Sequence, residues 1–145
     1  MMYITNAEPG DVPSLIENMG QTLGKLYDPG MLLNLINLWP QGCLVVRFAN
    51  NINGFIIGVK DKPNNAKVLY LGVDNKIRNQ GFGTRLMQKF ITQCIIEGIP
   101  MVRLEVTTDN IPAQRFYRKM GFNIEKRLTA FYEDGKDGFT LVRYF

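Results

Sequence analysis

Arg78-Asn79-Gln80-Gly81-Phe82-Gly83-Thr84 lies between a β-prone run, Val68 to Val73, and an amphipathic run that opens at Leu86. Two glycines there remove side chains where a ligand would approach the backbone closely. The first amides of a helix have no intrahelical acceptor, and the helix dipole favours an anion at that end. Arg78 adds a full positive charge. The segment therefore predicts a diphosphate cradle at a strand-to-helix junction, with an unliganded turn as the plain alternative.

Two other nucleotide-binding patterns fit less well. A dinucleotide fingerprint needs a third glycine where Leu86 stands, and its first glycine follows the strand almost at once. Here seven residues separate Val73 from Gly81, although Glu105 stands about where a ribose-binding acid would. Gly81-Phe82-Gly83 is also similar to part of an RNA-recognition strand. Such a strand continues with alternating aromatics, whereas Thr84-Arg85-Leu86-Met87 enters a helix.

Working outward, Leu86, Met87, Phe90, Ile91, Cys94 and Ile95 give the following helix an apolar face, and Gly98 and Pro100 end it. Met101 to Val106 reads as a strand, with Val102, Leu104 and Val106 on one face and Arg103, Glu105 and Thr107 on the other. Asp109 or Asn110 caps a helix with Pro112 in its first turn, directing Phe116, Tyr117 and Met120 to the core and stopping at Gly121. Phe122 to Ala130 and Phe139 to Tyr144 form a last hairpin. Upstream, Tyr3-Ile4-Thr5 is β-prone, Asp11 is placed to cap a helix through Val12, Leu15, Ile16 and Met19, and Pro29 opens another through Met31, Leu32, Leu35 and Leu38. Strands at Cys43 to Phe48 and Ile52 to Val59 flank Asn50-Asn51, and Lys62-Pro63-Asn64-Asn65 turns into the strand at Val68. The pattern predicts one α+β domain over residues 1–145, with no repeat or linker.

Composition narrows the chemistry. The 145 residues are 46% hydrophobic and 21% charged, as in an ordinary globular protein. There is no histidine, which excludes histidine-dependent triads and a typical zinc site, so no metal is expected. Cys43 and Cys94 sit in apolar runs and read as buried free thiols. A net charge of +4 suits a small polyanion better than a nucleic-acid partner. No apolar run approaches the roughly 18 to 20 residues of a membrane span. The N-terminus lacks the basic and apolar stretches of a signal peptide, so a cytoplasmic location and no membrane partner are expected.

Arg78-Asn79-Gln80-Gly81-Phe82-Gly83 resembles the Arg/Gln-x-x-Gly-x-Gly/Ala pyrophosphate motif of the GNAT superfamily of N-acetyltransferases. Asn110, Ala113, Tyr117 and Gly121-Phe122 resemble its second signature, and the order of elements is also similar. Leu104-Glu105-Val106, with Glu105 twelve residues ahead of Tyr117, and Phe131-Tyr132-Glu133-Asp134-Gly135-Lys136-Asp137 look most like the protein N-terminal α-amine acetyltransferases, including ribosomal-protein and archaeal members. Phe131 departs from that pattern, which has a tyrosine, and Gly138 stands where alanine is common.

The resemblance implies a three-layer α/β/α form of the α+β class. It has a mixed, mostly antiparallel sheet whose central strands, at Val68 and Met101, splay apart. It also implies acetyl-coenzyme A as cofactor, its pantetheine arm on the backbone of Leu71, Gly72 and Val73. Arg78, Asn79, Gln80, Gly81, Phe82, Gly83 and Thr84 would hold the diphosphate, with Asn110 and Ala113 beside the arm. Glu105 is the candidate base and Tyr117 the candidate acid, while Tyr132 would meet the substrate. A solvated or salt-bridged role remains open for Glu105, a core role for Tyr117, and an ordinary polar turn for Tyr132. The implied acceptor is a protein N-terminus, between the early helices and the final hairpin. A small amine, a lysine side chain or a non-catalytic coenzyme A sensor are the alternatives, with the chain a monomer or a homodimer.

Overall fold

The computed structural model describes residues 1–62 and 64–145; Pro63, within the turn expected at 62–65, lies outside the described residues. Among the described residues, seven strands form one sheet: β1 Met2–Asn6, β2 Cys43–Phe48, β3 Asn51–Asp61, β4 Asn65–Val73, β5 Met101–Thr107, β6 Asn123–Leu128 and β7 Gly138–Tyr144. Their order is β1-β2-β3-β4-β5-β7-β6. Every neighbouring pair is antiparallel except β4 and β5, which run parallel. The helices are α1 Val12–Leu23, α2 Pro29–Leu38, α3 Phe82–Ile96 and α4 Ile111–Lys119.

Alternating side chains build two cores, one on each face of the sheet. Leu15, Met19, Leu32 and Ile36 of α1 and α2 pack on Val45, Phe55 and Ile57. Leu86, Met87, Phe90 and Cys94 of α3 pack on Val46, Ile56, Val102, Leu104 and Val106 from the other side. The α+β, three-layer expectation holds. The helix starts follow the local signals: Asp28 and Asn110 accept from the amides of Met31 and Ala113, and α2 and α4 both carry proline in the first turn.

Two local expectations change. Asp11 stands at the start of α1, but its side chain does not cap that helix. Arg47 of β2 takes both carboxylate oxygens at 2.8 Å, and the Glu8 amide shares one of them. Leu38 points outward, 71% exposed, because α2 ends there and Ile36 and the Trp39 ring fill the core instead.

The parting of β4 and β5 positions the site. They share only three register pairs, Asn65 with Met101, Ala66 with Val102 and Lys67 with Arg103. Just beyond, Ile57 of β3 pairs with Tyr70 and Gly58 with Val68, leaving Leu69 as an extra residue. A bulge of this kind bends a strand and resets which face its side chains meet. Ala66 and Val68 belong to the α3 core before it, and Leu71 and Val73 lie against that same core after it. The edge of β4 from Val68 to Val73 that faces β5 is left without strand partners, as the splay expectation required.

Candidate active site

At the far end of this gap the chain turns through Asn75–Ile77 into α3. Asn79 (φ 63°) and Gly81 (φ 81°) both adopt left-handed backbone, which only glycine and a few polar residues tolerate cheaply. Gly81 stands at the helix N-cap and no side chain caps the end. The amide of Arg85 is the first to find a helical acceptor, the carbonyl of Gly81. The preceding amides of α3 therefore face outward as donors.

Val73, Ile77, Arg78, Asn79, Gly81, Phe82, Gly83, Thr84 and Phe116 line a cavity of about 440 Å³. Arg78 is tethered to the end of β4, its Nε donating to the Val73 carbonyl at 3.2 Å. No carboxylate is among the lining residues, so the cavity is electropositive and rich in donors. A Cβ built on Gly83 would meet Val73 and Phe116 at ordinary distances of 3.7 and 3.8 Å, so packing alone does not demand glycine there. These features fit a diphosphate. Gly72 differs, because a Cβ there would collide with Phe55 and Thr22 at 2.6 and 2.7 Å, and α1 packs straight onto this part of β4.

Near the closed end of the gap lie Lys67, Arg103 and Glu105. Glu105 is on the β5 face turned from α3, its side chain 11% exposed. Lys67 Nζ approaches Glu105 Oε1 at 2.5 Å and Arg103 Nη1 approaches Oε2 at 3.2 Å, while Arg103 also pairs with Asp61. Tyr117, between the rings of Phe116 and Phe122, has its phenol pushed up to about 12 by burial and, secondarily, by Tyr132. Burial first, then the Glu105 charge, raises the Tyr132 phenol. Tyr117 lies beside Phe116, which lines the cavity, and the Tyr132 ring lies against Gly138 at the start of β7. Tyr132 sits in the turn before β7, its amide bonded to the Lys136 carbonyl and its ring against Phe131 at 5.0 Å.

The expected residues thus fall into two groups. Val73, Arg78, Asn79, Gly81, Phe82, Gly83 and Thr84 share the cavity, whereas Leu71, Gly72, Gln80, Asn110 and Ala113 are not among its lining. Leu71 and Gly72 instead lie on the stretch of β4 that has no β5 partner, and the Asn110 side-chain Oδ1 is engaged as the α4 cap, accepting from the Ala113 amide at 3.2 Å. Sequence reasoning left a salt-bridged Glu105 open without naming Lys67 and Arg103 as its partners. Alternation with buried neighbours puts Lys67 and Glu105 each on the face opposite Ala66, Val68, Leu104 and Val106, but only the register of β4 on β5 sets them side by side. Sequence reasoning passed over the edge-to-face contact of Tyr27, from the α1–α2 connection, with Tyr70 of β4, centroids 5.1 Å apart. The bulge at Leu69 turns Tyr70 towards α1, and no sequence pattern announces it.

Known proteins share this architecture. The chain is 27% identical over 143 residues to an uncharacterized N-acetyltransferase of Methanocaldococcus jannaschii, covering 98% of this chain and 91% of that protein. It is 27% identical to human N-alpha-acetyltransferase 30, with 96% of this chain aligned, but it spans only 40% of that relative's length. The solved structure of Ard1 from Thermoplasma volcanium superposes with a TM-score of 0.91 and 34% identity, covering 99% of this chain and 97% of that one. Residues 13–122 match the Acetyltransferase (GNAT) family. With that match joined to the parted strands and the phosphate cradle, the chain belongs to the GNAT family of acetyltransferases, enzymes that use acetyl-coenzyme A.

Proposed function

We propose that the protein acetylates the N-terminal α-amine of a protein or peptide. The observation that carries this reading is the gap between β4 and β5, with Glu105 clamped near its closed end and a phosphate cradle at the other, where the Tyr117 ring lies against Phe116 of the cradle lining. The N-acetyltransferase relatives, one of them an N-alpha-acetyltransferase, support the choice of acceptor.

Acetyl-coenzyme A, when bound, supplies an acetyl thioester, a carbonyl activated towards amines. Arg78 and the first amides of α3 would hold its diphosphate, and Gly83 leaves room for that approach. The unpaired edge of β4 at Leu71, Gly72 and Val73 would offer backbone donors and acceptors to the amide-bearing arm, with Asn110 and Ala113 at the start of α4 alongside. The Val73 amide is positioned to donate to the carbonyl oxygen.

An α-ammonium must lose a proton before the nitrogen becomes a nucleophile. Its reference pKa is about 7.7 to 8.0, against about 10.4 for lysine, so the α-amine needs less help to lose that proton. Glu105 takes that proton, while Lys67 and Arg103 fix its orientation. The Tyr117 phenol, held protonated across the neutral range, donates its hydrogen to the departing sulfur. Tyr132, on the hairpin side, would meet the acceptor, with Tyr27 and Tyr70, paired beside α1, facing it from the other side.

The test is thiol release from acetyl-coenzyme A with three acceptors: free-N-terminus peptides, N-terminally blocked peptides containing lysine, and small polyamines. Free N-termini should be acetylated first and fastest. Acetylation confined to the blocked peptides or the polyamines would overturn the α-amine reading.

A further inference from the structure

We infer that Lys67 is itself an acceptor, so that the protein acetylates this side chain when no substrate amine fills the groove. The inference rests on the reading of Glu105 as the residue that meets the acceptor amine. Lys67 Nζ, a primary ammonium, already makes with Glu105 Oε1, at 2.5 Å, the contact an incoming ammonium would make. Lys67 and Arg103 form the last register pair before β4 and β5 part, so this amine stands at the closed end of the gap. Its side chain is 23% exposed, so the amine is partly sheltered but not sealed from solvent. Arg103 holds the other oxygen, but a guanidinium stays protonated and is no nucleophile. Of the two cations on this carboxylate, only Lys67 can be acylated. Lys60 and Lys136 are paired elsewhere, with Glu97 and Asp109.

The step balances without any added reagent. One Nζ proton passes to Glu105 Oε1, and the freed electron pair forms a bond to the acetyl carbonyl carbon. The carbon–sulfur bond breaks, its electron pair leaves on the coenzyme's sulfur, and that sulfur takes up a proton from Tyr117 or solvent. Loss of a second Nζ proton leaves an amide on Lys67, one free thiol and one proton released. The modified side chain is neutral, so the ion pair with Glu105 is gone, and only Arg103 then orients that carboxylate.

The experiment incubates the full chain with acetyl-coenzyme A alone and follows acetylation of each lysine by peptide mass mapping. Lys25 and Lys89, both exposed, report the background chemical rate. Lys67 should be modified about 100-fold faster than either, the smaller end of what positioned proton transfer contributes. That rate should not depend on protein concentration and should fall when an acceptor peptide is added. Glu105→Gln should remove most of the preference while leaving Lys25 and Lys89 labelling unchanged. A preparation that acetylates peptide N-termini while modifying Lys67 no faster than Lys25 or Lys89 overturns the inference and spares the α-amine reading. Fast Lys67 modification without peptide acetylation does the reverse.

Discussion

At Gly58 an added Cβ would lie 2.2 Å from the Phe90 ring and 3.2 Å from the Gly42 carbonyl oxygen, whereas at Gly83 it would meet only ordinary contacts of 3.7 Å and beyond. The same substitution should therefore have opposite signatures. Gly58→Ala is expected to destabilise the fold by about 1–3 kcal/mol through overpacking, read from denaturant unfolding. Gly83→Ala should leave unfolding unchanged but raise KM for acetyl-coenzyme A about tenfold, roughly 1.4 kcal/mol, by displacing the diphosphate from the α3 amides. An unchanged KM would remove the ligand from that helix end. Glu105→Gln and Tyr117→Phe should each lower kcat by about 100-fold with KM for acetyl-coenzyme A nearly constant, since both act on protons rather than on the diphosphate. If neither slows saturated turnover, both assigned roles are wrong.

Between α1 and β2, the bidentate pair of Asp11 and Arg47 joins a helix start to a strand through side chains 14% and 19% exposed. The Arg47 hydrogen bonds, outweighing desolvation, hold the Asp11 carboxyl below its usual range. Its stabilisation is thus complete above an unfolded pKa of about 3.9 and is lost as pH falls through the folded value. Asp11→Asn should cost about 1–2 kcal/mol at pH 7, and the difference from the parent should shrink under acid; equal stabilities at pH 7 would contradict this. Such elements also show what the sequence made legible. The helices at Pro29, Leu86 and Pro112 were readable because caps, prolines and the 3.6-residue stripe are local chemistry, and the glycine pair marked the cradle for the same reason. Asp11 misled because its partner, Arg47, is 36 residues away, and a cap and an ion pair look alike until the strands are placed. The Glu105 clamp and the Leu69 bulge depend on inter-strand register, which no short window contains.

For the molecule as a whole, the two thiols report global opening. Burial pushes Cys43 up to about 11 and Cys94 up to about 12, and both side chains lie within the packed cores. Neither should react with a disulfide reagent at pH 7 except through unfolding, so labelling rates should track the global unfolding free energy under mild denaturant. Faster labelling of one cysteine alone would reveal a local opening. Saturation with coenzyme A at 100 times its Kd should raise stability by about 2.7 kcal/mol, visible as a higher thermal midpoint.

Three register pairs join the β1–β4 half of the sheet to the β5–β7 half, with α3 packed across both. A sheet so nearly divided is softest along that seam, and a ligand laid along it acts as a keystone. Each turnover would then loosen and re-brace the same architecture, so that product release and the rigidity of the protein would be governed by one set of backbone contacts.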